Sequence, residues 1–159
     1  MIRFVLLLLV ILVGCSPSRK ESTKLRLEDI QLTDLEGNAV DVSQFKDKTV
    51  LVNFWATWCK PCLQEMPSLA ATQNRFKDEP IVFLFASNET TEQINRFKNK
   101  QKFEFNYVHL GNLEALNIQA LPTTFIFDQT GELKFSEIGF RDWTSPASIE
   151  IITNILTKP

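Results

Sequence analysis

The sequence predicts a mixed α/β domain, a central β-sheet with helices on both faces. Two observations carry this. Residues 49–55 and 81–86 are almost continuously apolar, as strands are when both faces are covered. Segments of helical period then alternate with strand-like runs until a turn joins the last two strands. The chain has 159 residues, 44% of them hydrophobic, which is about one domain's worth and enough to bury a core. A formal charge of −2, with no basic excess and no block of like charge, argues against nucleic acid as a partner. Thirteen Phe against one Tyr describe a Phe-rich core and say nothing about chemistry.

The elements follow in chain order. After Met1, Ile2 and Arg3, residues 4–13 form an apolar run of ten, which as a helix reaches about 15 Å against a hydrocarbon core of about 30 Å. A positive start, a short apolar run and small residues behind it are the parts of a secretory signal. Leu12-Val13-Gly14-Cys15 resembles the bacterial lipobox, which implies cleavage before Cys15 and acylation of its thiol. Residues 1–14 are therefore expected to be a lipoprotein signal peptide, and 15–27 the lipidated Cys15 and a flexible tether. The stretch 16–24 is too poor in apolar residues to offset its ordering entropy. Residues 28–159 are expected to be the folded domain, anchored to the membrane through Cys15.

Within that domain, 30–32 and 39–42 read as the arms of a β-hairpin around the Gly37 turn. A buried strand at 49–55 leads into a helix over 59–76, with Leu63, Met66, Leu69 and Ala70 as its stripe and a kink expected at Pro67. A second buried strand at 81–86 is followed by a polar helix at 91–100, a strand at 105–109 and a short helix at 112–117. Strands at 123–127 and 132–138 flank the turn at 128–131, and an amphipathic helix at 145–156 ends the chain.

Trp58-Cys59-Lys60-Pro61-Cys62 concentrates the chemistry. At the mouth of a helix, Cys59 meets unpaired amides and the positive end of the dipole, which favour thiolate over thiol, so Cys59 is the expected nucleophile. Cys62 stands three residues on, about 5–6 Å away on a helix, within disulfide reach and able to resolve a mixed disulfide. Pro61 is tolerated in the first turn, where its missing N–H has no partner to lose. Such a pair can also be a structural disulfide or half of a zinc site. The zinc reading is poor in ligands, because only His109 and the acylatable Cys15 remain as soft donors.

Residues 52–62, Glu65-Met66-Pro67 and Leu121-Pro122-Thr123-Thr124-Phe125 together resemble the thioredoxin superfamily, and within it the membrane-anchored TlpA/ResA-like thiol-disulfide oxidoreductases. The likeness runs from about residue 30 to the C-terminus. It implies a thioredoxin-like fold with a helix and strand inserted before a strand that opens on a cis Pro122. It also implies that Cys59 and Cys62 form a redox disulfide, and that Trp58, Leu121, Pro122 and Thr123 line the groove taking a partner's extended chain. A cis bond is nearly confined to X-Pro, which agrees. Where thioredoxin has a buried Asp, this chain has Asn53, which cannot take up a proton. The resemblance gives that role to Glu65, one turn beyond Cys62, as acceptor of the Cys62 proton, against the plain alternative of a solvated helix carboxylate.

The expected activity is extracytoplasmic thiol-disulfide exchange on protein substrates, by a monomer that needs no cofactor. Pro61 before the second Cys and the lack of a His between the two favour a reductant. The resemblance suggests apocytochrome c or other cell-envelope thiols as substrates and a transmembrane thiol transporter of the CcdA/DsbD type as electron donor. The alternative is a non-catalytic binding module or a metal or haem chaperone using the same groove. Peroxidase chemistry is disfavoured, since Val52 and Ala56 stand where the peroxiredoxin pattern Pro-x-x-x-Thr-x-x-Cys would place its Pro and Thr.

Overall fold

The computed structural model describes residues 24–157. The stretch read as a signal peptide, Cys15 and most of the stretch read as a tether lie outside them. Six strands form one sheet in the order β1-β4-β3-β2-β5-β6. The strands are β1 (Leu32–Thr33), β2 (Thr49–Phe54), β3 (Ile81–Ser87), β4 (Asn106–Leu110), β5 (Thr123–Phe127) and β6 (Leu133–Ile138). The α-helices are α1 (Lys60–Arg75), α2 (Thr91–Lys98) and α3 (Pro146–Thr157). The sheet is mixed: β2 runs parallel to β3 and β3 to β4, whereas β2–β5, β5–β6 and β1–β4 are antiparallel.

β2 is buried at every position, because it sits mid-sheet with side chains committed to both faces. Leu51 and Trp55 join Phe85, Ile126, Met66, Leu69, Ile94 and Ile152 in one core, which takes in residues of all three α-helices. Val50, Val52 and Phe54 join Leu84, Ala86, Phe125 and Phe127 in the other. Helices do cover both faces, but not helices of one kind. The second core is closed by Leu27, Ile30 and Leu116 and by partly buried Val42, Phe45 and Leu113, which come from the N-terminal segment and from short 3-10 turns at Leu27–Asp29, Val42–Phe45 and Leu113–Leu116. Segments this short offer one or two apolar residues each, so several are needed to close one face.

The N-terminal hairpin is present as a turn with a shortened second arm. The Asp34 and Asn38 backbones are joined at 2.8 Å, and both the Asn38 and Glu36 amides donate to the Asp34 carboxylate. Beyond the single Thr33–Ala39 bridge the second arm becomes the 3-10 turn capped by Asp41, whose carboxylate accepts the Ser43 N–H. β1 keeps one further contact with this arm, Val40 N donating to Leu32 O at 2.9 Å, and pairs along its other edge with β4. Residues 25–27, at the end of the stretch read as tether, lie against β6: Leu133 N donates to Leu25 O, Arg26 bridges Glu132, and Leu27 is buried. Residues 25–27 thus pack with the sheet instead of standing apart from it. The expected insertion is α2 and β4, and α1 continues through Pro67 as one 16-residue helix.

Candidate active site

The site forms where β2 ends and α1 begins. Cys59 is the N-cap of α1, in extended conformation, and its Sγ accepts the Cys62 N–H at 3.3 Å. The sulfur therefore occupies the place where a capping oxygen stands in other helices, facing amides that have no partner inside the helix. Cys59 and Cys62 are joined as a disulfide, with Cα atoms 5.3 Å apart. Cys59 keeps 4% of its surface exposed and Cys62 none, which ranks the two sulfurs as the helical geometry requires. Trp58, expected in the groove beside the nucleophile, is 73% exposed, whereas Trp55 is core.

The loop that presents Cys59 is pinned from the side. Glu89, just beyond β3, accepts the Thr57 N–H at 2.6 Å, the Thr57 hydroxyl at 2.7 Å and the Ser87 hydroxyl at 3.3 Å. From the other side comes β5. The Leu121–Pro122 bond is cis, Pro122 and Thr123 are buried, and Leu121 is half-buried against both cores. The Pro122 carbonyl accepts the Gly139 N–H at 2.8 Å, and the Thr123 hydroxyl donates to Ala120 O. Gly139 has φ +96°, a conformation open to glycine, and it turns the chain from β6 so that exposed Ile138 and Phe140 flank it.

Glu65 lies one turn beyond Cys62 with 1% of its surface exposed, so it is not the solvated helix carboxylate of the plain alternative. Its Oε1 accepts from Asn53 Nδ2 at 2.7 Å and its Oε2 from the Arg141 backbone N–H at 3.2 Å. Among the described residues no cation pairs with it; the Arg141 guanidinium is bound to Glu137 instead. Burial drives its pKa up to about 7, and the Asn53 and Arg141 donors hold back part of that rise. A carboxyl titrating there can take or give a proton under ordinary cellular conditions.

Sequence reasoning reached Cys59, Cys62, Glu65 and Pro122, and the fold brings all four together at one end of the sheet. It did not reach Thr124, Arg141, Glu89 or the 139–143 loop. That loop is laced to α1: Trp143 N donates to Ser68 Oγ and Thr72 Oγ1 to Trp143 O. Arg141 serves through its backbone, so no residue type could have signalled it. Gly139 was the one available hint of a special turn. His109 sits in β4 near Thr33, away from the sulfurs. Among the described residues no three His, Cys, Asp or Glu side chains converge as metal ligands do.

Residues 23–136 match the model of the AhpC/TSA family. The chain is 36% identical over 134 residues to the thiol-disulfide oxidoreductase ResA of Geobacillus kaustophilus (strain HTA426), covering 82% of this chain and 68% of that one. It is 35% identical over 116 residues to the thioredoxin-like protein YneN of Bacillus subtilis (strain 168), covering 70% and 68%. A solved thiol:disulfide interchange protein from Bacteroides sp. matches with a TM-score of 0.66 at 28% identity, over 81% of this chain and 86% of its own.

Proposed function

The chain belongs to the AhpC/TSA family and is a thiol-disulfide oxidoreductase of the thioredoxin-like kind, and from that premise we propose that it reduces protein disulfides outside the cytoplasm with Glu65 as its internal base. The observation that carries this is the buried Glu65 carboxyl one helical turn behind Cys62, paired with no cation among the described residues and titrating near neutrality.

The reaction has two exchanges. The Cys59 thiolate, held by the first-turn amides of α1, attacks one sulfur of the substrate disulfide, and the other substrate sulfur leaves as a thiolate. A mixed disulfide now joins Cys59 to the substrate. Cys62 then gives its proton to the Glu65 carboxylate and, as thiolate, attacks Cys59 Sγ, and the second substrate sulfur departs. Two electrons pass to the substrate and the Cys59–Cys62 disulfide seen here is the product. Leu121, Pro122 and Thr123 at the head of β5, with Trp58 beside Cys59, form the edge on which an extended substrate segment lies.

The run 4–13 followed by Cys15 supports secretion and a lipid anchor on the outer side of a membrane. That placement requires an electron supply through the membrane, which a thiol transporter of the CcdA/DsbD type provides, and it makes the disulfides of apocytochrome c and of other envelope proteins the substrates in reach. The protein acts as a monomer without a cofactor. Reduction of insulin disulfides by the soluble domain, run with and without copper, tests the reading. Turnover lost in Cys59→Ser, with Cys62→Ser trapped as mixed disulfides, supports it, whereas stoichiometric copper binding without turnover would make the protein a metal chaperone.

A further inference from the structure

Asn53 and Thr124 are cross-strand partners in the β2–β5 ladder, and their side chains meet under α1. Asn53 Nδ2 has two protons and spends one on Glu65 Oε1 at 2.7 Å and the other on Thr124 Oγ1 at 2.9 Å. Asn53 Oδ1, buried on the same group, has no donor. Residues 53, 65 and 124 are all but fully buried. The amide is thus committed as a donor, and its aim is set from one side by Glu65 and from the other by Thr124.

We propose that Asn53, locked by Thr124, is the positioning residue that sets the proton affinity of Glu65. A donor on Oε1 favours the ionised carboxylate and opposes the desolvation that favours the acid. An Asp in place of Asn53 would bring a second carboxylate to Glu65 and work in the opposite sense. Thr124 acts one step further out: with its oxygen as second acceptor, the amide cannot turn its oxygen toward Glu65 without leaving both of its N–H groups unpaired in the core. A Val there would keep the shape and release the lock.

The other charged or titratable groups around Glu65 are few. β2 and β5 carry none. The loop after β6 carries Arg141, whose guanidinium is held by Glu137 of β6, and exposed Asp142. α3, packed against the same core, carries exposed Glu150. Lys60, Cys59 and Cys62 lie on α1 itself, and the disulfide does not titrate. Of the two side chains that act on the Glu65 carboxylate as donors, Asn53 and Trp143, the Asn53 amide has the larger effect, and among the described residues no ion pair competes with it.

The inference rests on the proposed role of Glu65 but is tested apart from it. Carbon-13 NMR of the Glu65 carboxyl, followed against pH in the oxidised protein, reads proton affinity whether or not Glu65 acts in turnover. Asn53→Ala should raise the midpoint by about one unit, Thr124→Val by less and in the same direction, and Asn53→Asp by more, through a shared proton. The pH profile of the single-turnover resolving step should move with these midpoints. A midpoint unchanged or lowered in Thr124→Val, the substitution that preserves shape, overturns the inference, and so does a lowered midpoint in a folded Asn53→Ala. Midpoints that move as stated while the rate profile of every variant stays fixed would leave the inference standing and sink Glu65 as the base.

Discussion

Glu89 accepts both the backbone N–H and the hydroxyl of Thr57, at 2.6 and 2.7 Å, so the loop that delivers Cys59 is tied to the end of β3 by one carboxylate. Glu89→Ala leaves these two donors and the Ser87 hydroxyl without that partner, at about 1–3 kcal/mol for a group left unsatisfied. The larger effect falls on placement. Turnover should drop about tenfold to a hundredfold, and amide exchange at residues 56–59 should quicken while that of β2 stays slow. Unchanged exchange in the loop would remove the clamp from the account.

Glu65 makes stability depend on pH with a definite sign. Its pKa is raised in the fold, from an ordinary value of 4.5 to about 7, so between those values the native state binds more protons than the unfolded chain and stability falls as pH rises. Below about 4.5 the acid form is buried without that penalty; above about 7 the penalty is complete, on the order of 3 kcal/mol. Urea titrations of wild type and Glu65→Gln should diverge across this window by that order, with the wild type losing ground toward high pH. Parallel curves would show that the carboxyl is not desolvated as the structure places it.

The anchor is tested by fractionation. Each buried methylene of an acyl chain contributes about 0.8 kcal/mol to membrane binding, so the full chain should sediment with membranes and take up labelled fatty acid, and Cys15→Ser should do neither. Recovery of the unaltered chain in the soluble fraction, cut at another residue, would end the lipoprotein reading.

The reduction potential of the Cys59–Cys62 pair should lie nearer thioredoxin's, about −270 mV, than that of the strong oxidant, about −120 mV. Two features favour this: Pro61 precedes the second Cys, and no His lies between the two. Equilibration in glutathione buffers measures it. A value above about −180 mV, the isomerase range, would reverse the direction of electron flow.

Most of the fold was legible because its signals are local. β2, β3 and β5 are short apolar runs between turn residues, and α1 and α3 show a 3.6-residue stripe. The shortened second arm of the hairpin was not legible, since the residues at 39–42 alternate like a strand and the arm ends only because Asp41 caps a 3-10 turn at Val42–Phe45. The site divides in the same way. Cys59 and Cys62 are fixed by spacing on one helix, whereas Glu65 and Pro122 stand out through the motifs that carry the resemblance. Thr124 reaches Asn53 only through the β2–β5 register, and Arg141 reaches Glu65 only through a main-chain N–H. Neither the register nor a main-chain contact is written in residue type. Even the burial of Glu65 depends on the 139–143 loop closing over α1, some seventy residues away in sequence.

The central claim is that Glu65 takes the Cys62 proton as the mixed disulfide resolves. Stopped-flow measurement of that step, with Cys59 preloaded with a chromophoric thiol, tests it most directly. In the wild type the rate should depend on a group titrating near 7, and in Glu65→Gln that dependence should vanish and the rate fall by about tenfold to a hundredfold. A Glu65→Gln protein that resolves the mixed disulfide at the wild-type rate with the same pH profile would contradict the account and assign the proton to water.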